Sequence, residues 1–257
     1  MSAPVAVVTG ASRGIGRRLA VDLAAAGWDV VCTARSSSAR PGRLPGTIDA
    51  TAEAIEGLGR RALAVALDVQ DEPGVAALAD RVYAEWGRCD LLVVNAAVAP
   101  PAPALDDTTR RWRLAVDVNL NGAFYCCYYF CPRMAAHGGR VVTVSSGAAV
   151  TPAFGRASYT ATKLALEGLT QALAHDLRGR VALDCIRIDI PIMTEGFDAT
   201  LPEGFDTSGF EDAVIMTDAV RWLARQDLAY TGHVLTLGEL RERGVVRPPT
   251  RAERGTR

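Results

Sequence analysis

Hydrophobic and polar positions follow two rhythms along this chain. Nearly unbroken apolar runs occupy residues 5–9, 29–34, 62–67, 91–94, 140–145, 181–188 and 234–237. Runs of this kind predict strands buried on both faces, as in parallel sheets. Between them the apolar positions recur at helical spacing. Ile15, Leu19 and Leu23 share one face, and Gly27 stops that helix. Val75, Leu78, Val82 and Trp86 share another within 71–86. Further helices are predicted over 110–134, 158–177 and 211–225. Strand–helix alternation implies right-handed crossovers, and therefore an α/β fold: a doubly wound parallel sheet of about seven strands with helices on both faces. Two segments break the pattern. Residues 36–46 form a polar loop longer than an ordinary strand–helix connection. From Arg241 onward the chain is Arg-rich with little apolar order, so residues 1–240 are expected to form one domain and 241–257 a solvated tail.

Thr9-Gly10-Ala11-Ser12-Arg13-Gly14-Ile15-Gly16 lies between the first strand and the first helix. Gly10 permits a tight turn, Gly14 lets backbone approach a pyrophosphate, and Gly16 allows close helix–sheet packing. The helix N-terminus adds unpaired N–H groups and partial positive charge. Ser12, Arg13 and Ile15 complete this turn, whose spacing is GxxxGxG. A strand–turn–helix of this composition predicts a Rossmann-type dinucleotide site. An acid at the end of the second strand would select NAD, whereas an Arg pairs with a 2′-phosphate. Here the strand ends in Arg35 and Ser36, and Arg13 can reach the same phosphate from the other side. Two guanidinium groups around one phosphate make charge-assisted bonds, so the expected cofactor is NADP(H).

The motif TGASRGIG resembles the cofactor turn of the short-chain dehydrogenase/reductase family, and further signposts follow along nearly the whole chain. By that resemblance Asp68 and Val69 form the adenine pocket. Asn95 and Ala96 close the turn beside the cofactor, and Thr194 sits near the carboxamide. The family's tetrad of Asn, Ser, Tyr and Lys matches Asn119, Ser146, Tyr159 and Lys163. The residue types suit the reaction. Moving a hydride to or from a carbon requires a proton at its oxygen, and a phenol of pKa about 10 is a poor base near neutrality. A nearby ammonium and the oxidised nicotinamide are both expected to favour the Tyr159 phenolate, while the Ser146 hydroxyl holds the substrate oxygen. Lys163 is the single lysine among 28 basic residues, kept where an Arg could not exchange protons. Ser145, adjacent to Ser146, is the competing candidate for the serine role.

The resemblance also implies a small-molecule alcohol or carbonyl substrate. It implies a homodimer or homotetramer joined through the helices that carry Asn119 and Tyr159. Ala149, Val150, Ala153 and Phe154 suggest an apolar part of that substrate, and residues 195–209 a closing lid. The loop 36–46 and the segment 231–244 resemble a hydroxysteroid-dehydrogenase-like branch. One departure stands out: the family's Pro-Gly after the sixth strand is replaced by Ile188 and Asp189. This motivates a competing expectation, an NADP(H)-binding sensor or scaffold with little turnover, against which the intact tetrad argues.

Composition narrows the partners. Hydrophobic residues make up 49% and charged residues 22%, ordinary for a globular chain. A net charge of −1 provides no field for nucleic acid or an anionic membrane, and no run of about 18 uncharged apolar residues predicts a membrane span. Six cysteines without a CxxC pair point to reduced thiols and a cytoplasmic location. Three scattered histidines predict no metal site.

Overall fold

The computed structural model describes residues 2–99, 103, 106–199, 201 and 204–247. Seven parallel strands form one sheet: β1 (Val5–Thr9), β2 (Asp29–Ala34), β3 (Ala62–Ala66), β4 (Leu91–Val94), β5 (Arg140–Ser146), β6 (Ala182–Ile188) and β7 (Val234–Thr236). Their spatial order is β3-β2-β1-β4-β5-β6-β7. The order reverses between β1 and β4, and the crevice beyond the strand ends there is where doubly wound sheets bind ligands. The register sets Val7 beside Val31 and Leu92, so the central strands are apolar on both faces.

On one face pack α1 (Gly14–Ala25), α2 (Ile48–Glu56) and α8 (Val214–Ala224), whose buried side chains share a core with Val8, Cys32, Val93 and Ile186. On the other, α3 (Glu72–Trp86), α5 (Gly122–Met134) and α6 (Ala157–Asp176) cover Val7, Val31, Leu92 and Leu183. Strand and helix ends fall within three residues of the expected ones. Three features differ more.

The first is α2, which the sequence reading omitted. Thr47 caps it, its side chain accepting the Ala50 N–H at 3.1 Å, and Ile48 and Ile55 anchor it. The second is the single helix expected over 110–134. It is three pieces: α4 (Thr109–Val116), a π-helical turn (Asp117–Asn121) and α5. A π turn inserts an extra residue and often marks a functional site; here it carries Asn119. The third lies at the C-terminus. Thr236 and Glu239 form a capping box that starts α9 (Leu237–Glu242), and Leu240 and Val246 are buried. Arg241 pairs with Glu211 at 3.0 Å. Packing therefore continues past residue 240, and the rest of the expected tail, 248–257, lies outside the described residues. Among these, no helix is long and apolar enough to cross a membrane.

Candidate active site

The Gly-rich turn is held open by its neighbours. Gly10 (φ 69°) and Gly14 (φ 55°) adopt left-handed backbone that a side chain would strain. The Thr9 hydroxyl accepts the backbone N–H groups of Asn95 (2.9 Å) and Ala96 (3.0 Å), and Asn95 Nδ2 donates to the Thr9 carbonyl at 2.8 Å. These bonds lock the end of β4 to the end of β1 and leave a cavity of about 470 Å³ above both strands. Every residue expected at the cofactor lines it except Gly16, which packs beneath the turn. A Cβ on Gly16 would approach Asn95 Nδ2 to 2.6 Å and the Gly10 carbonyl more closely still.

An anion already tests the turn. Thr194 caps the short α7 (Glu195–Asp198) with its hydroxyl, and this sets the Glu195 carboxylate on the Gly14 N–H at 2.8 Å. A free amide at a helix N-terminus attracts negative charge, which is the property a pyrophosphate needs. The turn thus fits a dinucleotide, and the contact of Glu195 with Gly14 is one that the sequence did not predict.

At the β2 end of the cavity the two arginines are held differently. Arg13 Nη2 donates to Ser36 Oγ (2.9 Å) and the Leu44 carbonyl (3.0 Å), and Arg13 Nε to the Pro45 carbonyl (2.9 Å). The long loop 36–46 is folded onto the turn by this one side chain. Arg13 also lines the cavity, with most of its donors held by backbone carbonyls of the loop. Arg35 is the open guanidinium, 58% exposed and 3.7 Å from Asp68. An adjoining cleft of about 830 Å³ shares Arg13, Arg35 and Ser36 and adds Arg40, Arg43 and Arg81.

At the other end of the cavity, Tyr159 and Lys163 of α6 line the wall, with Ser146 of β5 beside Tyr159. Tyr159 and Lys163 are one turn apart, with Lys163 Nζ 5.6 Å from the Tyr159 ring centre. Lys163 is buried, and Nζ donates to the Val144 carbonyl at 2.6 Å. Burial pushes its amine down to about 8. Burial also raises the Tyr159 phenol above its ordinary value, opposed by a bond with the Ser146 hydroxyl and by the Arg156 charge. Burial thus dominates the phenol in the free chain, and the Lys163 amine is turned to the Val144 carbonyl of β5. Of the two serines, Ser146 faces Tyr159. Ser145 points away, donating to Glu167 Oε1 at 2.6 Å.

Asn119 stands behind the cavity wall. Its Oδ1 accepts the Val98 N–H (2.8 Å), and its Nδ2 donates to the Val98 carbonyl (2.9 Å) and Thr162 Oγ1 (3.1 Å). It thereby ties the π turn both to the β4 loop and to α6. Among the described residues no group of three His, Cys, Asp or Glu is arranged to hold a metal.

The sequence profile described as short chain dehydrogenase matches residues 4–194. The chain belongs to that family. It is 39% identical over 172 residues to cis-4-hydroxycyclohexanecarboxylate dehydrogenase of Sinomonas cyclohexanicum, a match covering 66% of each. It is 29% identical over 245 residues to human hydroxysteroid dehydrogenase-like protein 2, covering 93% of this chain and 57% of that protein. The chain thus spans little more than half the length of that relative. Among solved structures, a short chain dehydrogenase from Mycobacterium paratuberculosis bound to NAD superposes with a TM-score of 0.80 at 26% identity, covering 92% of this chain and 96% of that one.

Proposed function

We propose that the protein is an NADP(H)-dependent oxidoreductase acting on an alcohol or carbonyl substrate, with Tyr159 as the acid/base group. The observation that carries this reading is the meeting of Tyr159, Lys163 and the Gly-rich turn in one cavity. In this reading the turn amides take the pyrophosphate in place of Glu195, Arg35 the 2′-phosphate, Asp68 and Val69 the adenine, Lys163 the nicotinamide ribose and Thr194 the carboxamide. When bound, the nicotinamide gives or takes the hydride. Ser146 holds the substrate oxygen, and Tyr159 moves the proton at that oxygen. Asn119 keeps the wall in register with α6. Phe154, 89% exposed, and the Phe197–Phe210–Phe205 cluster of the lid offer apolar surface to the substrate. The relative from Sinomonas is named for a hydroxylated ring acid, and alicyclic secondary alcohols are the first substrates to assay.

The choice of NADP(H) rests on this chain's own Arg35, because a structural neighbour carries NAD. Calorimetry should give tighter binding of NADPH than of NADH. Arg35→Asp is expected to erase or invert that order, through loss of a charge-assisted pair and gain of a repulsive one. Equal affinity for the two cofactors in the unchanged protein would remove this part of the reading.

We further propose a homodimer or homotetramer. On α4 and α5 the large side chains Trp112, Phe124 and Tyr128 are 46%, 40% and 58% exposed, more apolar surface than a solitary helix pair ordinarily shows to water. Light scattering at micromolar concentration is expected to return two or four times the chain mass. A single-chain mass would count against the assembly. A cytoplasmic location is part of the same proposal.

A further inference from the structure

One turn beyond Lys163 on α6 stands Glu167, so Tyr159, Lys163 and Glu167 share a helix face at four-residue spacing. Glu167 is buried, with 4% exposure, where an ionised carboxylate is costly unless bonded. It is fully bonded. Arg187 on β6 grips it with a two-point fork, Nε to Oε1 at 2.9 Å and Nη2 to Oε2 at 2.6 Å. Ser145 on β5, opposite Arg187 in the sheet register, adds its hydroxyl at 2.6 Å. The same hydroxyl lies 3.4 Å from the Lys163 carbonyl, so the cluster holds the backbone of the residue as well as the charge beside it.

We propose that Glu167, clamped by Arg187 and Ser145, is a positioning residue that keeps Lys163 an ammonium at the buried end of the active site. This inference rests on the oxidoreductase reading for its purpose, since an ammonium there would steady the Tyr159 phenolate and the ribose. The physical case is a balance of charges. Burial favours the neutral amine, and Cys185 and Glu167 are the groups whose negative charge would oppose that loss. The Cys185 thiol, pushed up to about 11 by burial, is un-ionised where the amine titrates, which leaves Glu167. Burial works to raise the Glu167 carboxyl, but the Arg187 and Ser145 bonds outweigh it and hold it below its ordinary range. The Glu167 charge therefore persists at working pH.

The other groups around Lys163 do not duplicate this role. On α6 itself Tyr159 is neutral in the free chain. From β6, Cys185 faces the amine with a thiol that burial pushes up to about 11. From β5 the amine meets the Val144 carbonyl, to which it donates. From the π turn, Asn119 is neutral and Asp117 is bonded to Asn121. Arg187 is the one cation of the cluster, itself favoured by Glu167 and, more remotely, Glu239.

The chain's single lysine makes the test direct. Growth on lysine labelled with ¹³C at the ε-carbon gives one lysine signal in the full-length protein, and its pH titration reads Lys163 alone. The unchanged protein is expected to titrate near 8. Glu167→Gln, which keeps the shape of the side chain and removes its charge, is expected to lower that midpoint by about one pH unit. Arg187→Met should move it the other way, because Lys163 becomes the remaining cation beside Glu167. These opposite signs protect the test against a variant that merely loosens the fold, which would move both midpoints towards that of an exposed lysine. Unmoved midpoints, or shifts of the same sign, would overturn the proposal. The titration needs no turnover, so it stands apart from the oxidoreductase reading. If the shifts occur and Tyr159→Phe leaves turnover intact, only that reading fails.

Discussion

Tyr159→Phe is expected to lower turnover by about 10²- to 10⁴-fold, the usual contribution of one acid/base group. The ring stays to pack against the Lys163 stem, so the fold and the cavity wall are preserved. Cofactor affinity should change little, because the phenol oxygen is asked only to move a proton. The pH dependence gives a second signature. In the unchanged protein, alcohol oxidation should rise with pH as the phenol ionises, and carbonyl reduction should fall over the same range. Burial holds the free phenol above its ordinary value. The pH at which oxidation levels off therefore measures how far the bound cofactor and the Lys163 charge bring it down. In Tyr159→Phe the residual rate should lose this dependence. Steady-state kinetics across pH would settle the matter, and undiminished turnover in the variant would refute Tyr159 as the acid/base group.

Gly16→Ala is the second large effect, and it acts on binding. The added methyl would sit 2.6 Å from Asn95 Nδ2 and closer still to the Gly10 carbonyl. Backbone forms half of that collision, so relief requires α1 to move away from β1 or the turn to open. Overpacking of this kind costs about 1–3 kcal/mol, or roughly 5- to 150-fold in an equilibrium constant. Because the displaced atoms shape the pyrophosphate cradle, the loss should fall on dinucleotide affinity as well as on stability. Calorimetric titration with NADPH, paired with a thermal melt, separates the two. Unchanged affinity would show that the turn tolerates a side chain and that its glycine is incidental. Gly14 differs in kind: its Cβ would meet the Thr194 side chain at 3.3 Å, and the cost of a substitution there comes from its left-handed backbone, φ 55°.

The architecture was legible because parallel strands buried on both faces leave an unambiguous apolar record. Val5–Thr9 and Leu91–Val94 end where the runs end. The Tyr159/Lys163 pair was legible for a different reason, a fixed spacing within a chain that otherwise uses only Arg. What escaped was set by contacts between distant segments. Nothing local marks Arg13 as the anchor of loop 36–46, because most of its partners are backbone carbonyls more than thirty residues away. Glu195 meets Gly14 only after the chain has crossed the sheet. The break at Asp117–Asn121 was hidden because a π turn keeps helical dihedrals and apolar spacing on both sides. Glu167 could have been found. It extends the Tyr159–Lys163 face by one turn, and an acid at an otherwise buried helix position requires a cation, which Arg187 supplies from β6.

The most direct measurement of the central claim is transfer of label from the cofactor to carbon. The unchanged protein would be incubated with NADPH deuterated at C4 of the nicotinamide and a panel of alicyclic and aromatic ketones and aldehydes. The products would then be analysed by mass spectrometry. The account predicts deuterium at the carbinol carbon of at least one product, a faster reaction with NADPH than with NADH, and loss of the label in Tyr159→Phe. No labelled product from a broad panel, with NADPH nevertheless binding and raising the melting temperature, would contradict it. A cofactor-binding sensor would then take the place of an oxidoreductase.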